Sequence, residues 1–268
     1  MPSVSNVAIG SNMAAAAASK ARHGMNESIA RLSTGIRAMY GGDAAGHSVG
    51  TVHNAESRSY AASTRNIEDA ISYAQTGESV LLEVANLAQR IRELGIADSG
   101  NELLDGNQIA ALDDEAAVLG NTIDDILDNT KFNGVEVVDS AASKSVSINY
   151  TGDASTAGLR TTVGASQAVT AMNGLGDAGN ARALADTFLG TVALALGNIA
   201  ADLTALKAFQ GAASSTSANL AAASARILDT DYATETASLT KNSILNQAAL
   251  SMAAQANNAQ SAILSVLQ

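Results

Sequence analysis

The two ends of the chain carry the same pattern. From Met25 through Ile29, Leu32, Ile36 and Met39 the apolar residues step by four, three, four and three. Leu245, Ala249, Met252, Ala256, Ala259, Ile263 and Val266 repeat that alternation near the other terminus. Such spacing lines one narrow stripe along a helix, which is the seam of a coiled coil rather than the broad apolar face of an ordinary globular helix. Matching seams at opposite ends predict that the terminal helices pair. A stripe made largely of small side chains buries too little surface to repay the ordering of such long segments. Both ends are therefore expected to order on assembly, when a further surface covers them.

Composition agrees with an assembling helical protein. The chain is 47% apolar but only 3% aromatic, so it buries area through Ala and Leu in narrow interfaces rather than in a bulky core. Its single proline is Pro2, which leaves nothing of that kind to interrupt long helices. The net charge of −11 is uneven: residues 66–140 hold three basic against sixteen acidic side chains, and residues 1–65 hold six against three. An acidic middle excludes a phosphate-binding surface, because nucleic acid requires a basic patch. Without cysteine there is no disulfide and no thiolate chemistry. No cleavable secretory leader is read at the start, and no run of about 20 apolar residues suggests membrane insertion.

The fold class read from these patterns is mainly α: an elongated antiparallel bundle or coiled coil of long helices with the N- and C-terminal helices paired, plus a small β-hairpin near 131–150. A first helix is expected from Ser5 to Ala38, broken by Gly41-Gly42-Asp43. A second begins near Ser57, carries Val80, Val84, Leu87, Ile91 and Leu94 on its seam, and stops at Asp98-Ser99-Gly100-Asn101. A third carries Ile109, Leu112, Ala116, Leu119, Ile123 and Ile126. After Asn129 the period changes. Val135, Val137 and Ser145–Tyr150 alternate as two short strands, with Asp139 to Lys144 as their connection. Residues 151–177 are rich in Gly, Ser, Thr and Ala and read as loop. Helix resumes at Ala181 with Leu189, Val192, Leu196, Ile199, Leu203 and Leu206 on its seam, and Asp229–Glu235 supplies caps and turn formers before the last helix.

Catalytic and cofactor motifs are weak. Gly174-Leu175-Gly176-Asp177-Ala178-Gly179 matches the dinucleotide-binding GxGxxG, but a hydrophobic strand before it and an acidic strand end about 20 residues later are both missing. His23, His47 and His53 lack any metal-ligand spacing. Adjacent pairs such as Asp113-Asp114 and Asp124-Asp125 point to different sides of a helix and read as a solvated acidic face. No catalytic residue, cofactor or metal is assigned.

Several segments resemble one family. RLSTGIRAMYGGDAAGHSV, from Arg31 to Val49, is similar to the RLSSGLRI…DDAAG signature of bacterial flagellins. The resemblance continues through Ser63 to Leu94, through NTKFNGVEVV at Asn129 to Val138, and through Ile227 to Leu267. It departs where a single Asp43 stands for two acidic residues, where His47 follows the Ala44-Ala45-Gly46 motif, and where Gly41-Gly42 loosens the turn. The chain ends on Gln268 where a charged or small residue is common.

The resemblance implies a structural subunit that polymerises into the flagellar filament for swimming motility, outside the cell, without catalysis. Residues 1–42 and 233–268 would pair as inner-tube helices, 43–150 and 178–232 would form the wall, and 151–177 a reduced outer region. It implies subunit contacts through Met25, Ile29, Leu32, Ile36, Leu245, Met252, Ile263 and Val266. It further implies unfolded passage through the flagellar type III export system, an export chaperone on the C-terminal helix, filament cap and hook-junction partners, and a switch hairpin at Phe132, Asn133 and Gly134. Gln89, Arg90, Arg92, Glu93 and Leu94 resemble the wall patch bound by the vertebrate innate-immune flagellin receptor. The alternatives are a hook–filament junction protein, which caps rather than propagates a polymer, and a dinucleotide-binding enzyme.

Overall fold

The computed structural model describes residues 2–37, 42–99, 102–138, 144–146, 161–163 and 178–266. The described chain is mainly α. Its helices are α1 (Pro2–Thr34), α2 (Ala44–Asp98), α3 (Gly106–Asn129), α4 (Ala178–Leu228) and α5 (Tyr232–Val266). Short strands β1 (Lys131–Phe132), β2 (Val135–Glu136), β3 (Lys144–Val146) and β4 (Thr161–Val163) lie between α3 and α4. The chain divides into two compact units, one of residues 1–55 with 220–268, the other of residues 56–219.

Local chemistry sets the helix ends. Pro2 opens α1, where its missing N–H is one that the first turn leaves unpaired anyway. Gly35, at a φ of +71°, closes α1 by donating its N–H to the Arg31 carbonyl at 2.8 Å, a left-handed cap that glycine adopts without steric cost. Ile36 therefore lies outside the helix, which was expected to run to Ala38; Ala38 and Met39 lie outside the described residues. Asp43 accepts the Gly46 N–H at 2.8 Å and starts α2 at Ala44, well before Ser57. Gly46 and Gly50 both sit within the helix. At α3, Asp105 and Gln108 form a reciprocal capping box.

Within the second unit, α2 and α4 run antiparallel. Ser57 and Ser217 each donate a hydroxyl to the other's carbonyl at 2.9 Å, Gln210 meets Glu68 at 3.1 Å, and Arg92 meets Asp186. The core is a heptad seam: Ile67, Ala70, Ala74, Leu81, Val84, Ala88 and Ile91 from α2 pack with Ala181, Ala185, Phe188, Val192, Ala195, Ile199 and Leu206 from α4. From α3, Ile123 and Leu127 close it. Composition alone makes α4 apolar and long enough to cross a membrane, contrary to the expectation that no such run exists. Phe188, Val192, Ile199 and Leu206 are instead buried in this core, while Leu184 and Leu194 stay exposed.

The hairpin sits earlier than expected. Lys131 pairs with Glu136 and Phe132 with Val135, so the turn is Asn133-Gly134 and not Asp139 to Lys144. Both turn residues have positive φ, +50° and +77°, the two-residue turn whose twist matches that of the strands it joins. Val137 is buried against α2, where Gly77 leaves room for it. Ser145 and Val146 pair with Thr162 and Thr161 of β4, a strand inside the stretch expected to be loop. Residues 139–143, 147–160 and 164–177, including Gly174–Asp177 of the GxGxxG motif, lie outside the described residues.

Candidate assembly interface

In the first unit α1 and α5 pack antiparallel, with Gly24 against Asn242 and Arg31 3.6 Å from Glu235. Among the described side chains of α1 the buried ones are small: Ala18, Ala21 and Ser28, spaced three and seven apart. On α5, Glu235 is buried and Asn242, Asn246, Ala249, Ala253 and Ala256 are half-buried at the same helical spacing. Small side chains let the two backbones approach closely, as at Gly24, where an added Cβ would lie 2.6 Å from the Asn242 amide.

This arrangement corrects the seam read from the sequence. Ala249 and Ala256 do turn toward α1, but Leu245 and Met252 do not, and Met252 is 66% exposed. Met25 and Leu32 are half-buried, Ile29 is half exposed, and Ile36 is half-buried in the segment after α1. Ile263 and Val266 lie on α5 with side chains outside the described residues. The unit therefore turns Ile9, Met13, Ile29, Ile244, Leu245, Leu250 and Met252 outward while its own seam closes with Ala, Ser, Gly and Asn. The inward stripe of Ala14, Ala18, Ala21 and Ser28 was visible in the sequence as a second run of three and four steps, in residues too small to draw attention.

The segments flanking these helices bind each other. Thr230 donates its N–H to Gly35, Arg37 donates its N–H to Leu228, and Ile36 bridges Asp229. The Arg37 guanidinium caps the Ile227 carbonyl at 3.0 and 3.2 Å and reaches Asp43 at 3.0 Å. The Gly46 N–H, then the Arg37 guanidinium, holds the Asp43 carboxyl below its usual range. Asp231 caps α5 by accepting the N–H groups of Ala233 and Thr234, at 2.9 and 3.3 Å, with the Thr234 hydroxyl at 3.0 Å. Those bonds from Thr234 and Ala233 lower its pKa as well.

On the second unit, Gln89, Arg90 and Glu93 are exposed and Arg92 is half-buried. Arg90 donates through Nε and Nη2 to one oxygen of Glu115, at 3.0 and 2.8 Å, and through Nη1 to Glu93 at 3.3 Å. Those bonds, Glu115 first, raise the pKa of its guanidinium. Leu94 is 3% exposed, so it belongs to the packing beneath this patch and not to its surface. Glu115, on α3, is the member that sequence reasoning missed, because nothing in the spacing of α2 reveals which α3 residue faces it. His23 and His47 are exposed and His53 is half-buried. Among the described residues no three His, Cys, Asp or Glu side chains converge as metal ligands would.

Comparison with known proteins fits this helical architecture. Residues 5–143 match the bacterial flagellin N-terminal helical region, and residues 199–267 match the bacterial flagellin C-terminal helical region. The chain belongs to the bacterial flagellin family. This flagellin is 33% identical to a flagellin of Halalkalibacterium halodurans, over 89% of its own length and 90% of that protein. It is 30% identical to a flagellin of Bacillus subtilis, over 89% and 91% of the two chains. The flagellar filament 33 kDa core protein of Treponema phagedenis is 30% identical over 91% and 92%. Flagellins are structural subunits of the extracellular flagellar filament, and their work is self-assembly rather than catalysis.

Proposed function

We propose that this flagellin propagates the filament through the outward apolar residues of α1 and α5, the inner-tube helices of the expected domain plan. The observation that carries the proposal is the division of labour in that pair: small residues close the intramolecular seam and leave Ile9, Met13, Ile244, Leu245, Leu250 and Met252 uncovered. Covering that area in a neighbouring copy supplies the free energy that the narrow seam lacks. Met25, Ile29 and Leu32 lie where the seam meets that surface, and Ile263 and Val266 continue α5 toward its end. Residues 43–150 and 178–232 serve as wall and 151–177 as the reduced outer region, and the Asn133-Gly134 turn, with Phe132 before it, is the place to look for switching between filament forms.

The same uncovered stripe on α5 is the segment for an export chaperone to hold before unfolded passage through the type III export system. Filament cap and hook-junction proteins are the further partners at the ends of the polymer. On the wall, Gln89, Arg90 and Glu93 with Glu115 form the exposed face for the vertebrate innate-immune receptor, with Arg92 at its margin. Leu94 acts there only by supporting α2 from beneath.

Seeded polymerisation of purified monomer tests the central reading. Met252→Glu is expected to leave the monomer's helix content unchanged and to abolish elongation from seeds, because a carboxylate at an apolar contact lacks a partner. Elongation at the wild-type rate would sink the assignment. Growth of long filaments by the wild-type chain separates a propagating subunit from a hook–filament junction protein, which stops at a ring or cap.

A further inference from the structure

The only described non-glycine residue with positive φ is Asn133, and glycine follows it. We propose that Asn133-Gly134 is a site of spontaneous deamidation that the folded hairpin holds in check and that unlatching the hairpin releases. Asparagine followed by glycine is chemically exposed to this reaction because no Cβ hinders the incoming nitrogen. The Gly134 backbone nitrogen attacks Asn133 Cγ. A C–N bond forms, the Cγ–Nδ2 bond breaks, and ammonia leaves with the amide proton. Water then opens the cyclic imide at either carbonyl, giving aspartate or isoaspartate. No oxidant or metal takes part, and the product carries one more negative charge.

The geometry sets when this can happen. Ring closure needs the Gly134 nitrogen swung toward the Asn133 side chain by rotation about ψ of Asn133. Two consecutive left-handed residues, at φ of +50° and +77°, and the pairing of β1 with β2 on either side hold the tight turn that such a rotation would break. The turn is in turn latched to α2. Tyr73 donates its hydroxyl to the Glu136 carbonyl at 2.7 Å and its ring meets that of Phe132 edge-on, with centroids 6.0 Å apart. Val137, buried beside Gly77, donates its N–H to the Thr130 carbonyl at 3.2 Å, and Lys131 lies 3.6 Å from Glu136. Each of these contacts must loosen for the torsion to turn.

The consequence is one-way. Isoaspartate inserts a methylene into the main chain, and a two-residue turn has no slack to absorb it. The pairing of Phe132 with Val135 and of Lys131 with Glu136 then fails, and the Glu136 carbonyl leaves Tyr73. A second negative group arrives beside Glu136 in the most acidic part of the chain. The turn thus doubles as a clock for the time the hairpin spends open.

Site-resolved peptide mass spectrometry reads the reaction directly. Full-length monomer is incubated at mildly alkaline pH, native and in urea, and deamidation at Asn133 is followed for the wild type, Tyr73→Phe and Gly134→Ala. The expected result is fast loss of the amide in urea, at a rate near that of the chain's other Asn-Gly pair, Asn173-Gly174, and much slower loss in the native state. Tyr73→Phe removes one hydrogen bond and is expected to raise the native rate roughly 2- to 10-fold. Gly134→Ala is expected to slow the reaction sharply in urea, where no fold intervenes. Equal native and unfolded rates for the wild type would overturn the proposal without relying on any variant. A Tyr73→Phe native rate equal to wild type would overturn the latch.

Discussion

Glycine 95 gives the sharpest test of how closely α2 and α4 pack. It is buried on α2, and a Cβ built there lies 2.5 Å from the Arg182 backbone nitrogen and 3.1 Å from its Cα. Carbon pairs rest at roughly 3.5–4.0 Å, so Gly95→Ala must part the two backbones by about 1 Å. A gap of that size forfeits roughly a quarter to a half of each dispersion contact along the adjoining seam, at Ile91, Ala181 and Ala185. Overpacking of this kind costs roughly 1–3 kcal/mol. Against it stands the helix preference of Ala over Gly, worth roughly 0.5–1 kcal/mol. The clash is with backbone, which cannot rotate away, so the balance is a net cost of about 0–2.5 kcal/mol. For a chain of this size that lowers Tm by roughly 2–4 °C per kcal/mol. Gly197→Ala on exposed α4, where a Cβ meets nothing within 4 Å, supplies the control and is expected to raise Tm. Thermal melts of the monomer by far-ultraviolet circular dichroism compare the two. If Gly95→Ala stabilises as Gly197→Ala does, the close approach of α2 and α4 is wrong.

Other perturbations probe separate features. Ile123→Ala removes a side chain with no exposed surface and is expected to cost roughly 2–5 kcal/mol in chemical denaturation, with the slope against denaturant unchanged. Asp105→Ala deletes the acceptor for the N–H groups of Asn107 and Gln108, and should cost roughly 1 kcal/mol in the same assay. Ala18→Leu places a large side chain in the α1–α5 seam; loss of seeded elongation together with loss of helix is the expected result, in contrast to Met252→Glu, which spares helix. The carboxyls of Asp43 and Asp231 titrate below their unfolded value of 3.8, so the folded state binds fewer protons than the unfolded one. Their contribution is complete above that value and is lost as pH falls through the lower folded values. The helix melt should therefore weaken with acid below pH 3.8, and Asp231→Asn, which keeps a cap but cannot protonate, should flatten that dependence.

Much of the fold was legible along the chain. The three and four steps located all five helices, Asp98-Ser99 ended α2 as expected, and Asp231 capped α5 from within the stretch of turn formers. Sequence also determined the family, because its motifs occur in order at both ends, and it determined that the termini pair. What it did not determine was which stripe of a helix faces inward. In an Ala-rich helix the run through Ala18, Ala21 and Ser28 and the run through Met25, Ile29 and Leu32 both satisfy the helical period, and periodicity says only which residues share a face. Tertiary packing chose the smaller set for α1 and α5, because closely approaching backbones exclude bulky side chains, and so left much of the larger set uncovered. The same limit hid Glu115 opposite Arg90, whereas the burial of Leu94 followed from its place on the seam of α2. The hairpin moved because Asn133-Gly134 can take two left-handed residues in succession, a turn preference stronger than the alternation of the valines after it. Spacing fixes what a helix can present; only the neighbour that arrives decides what it buries.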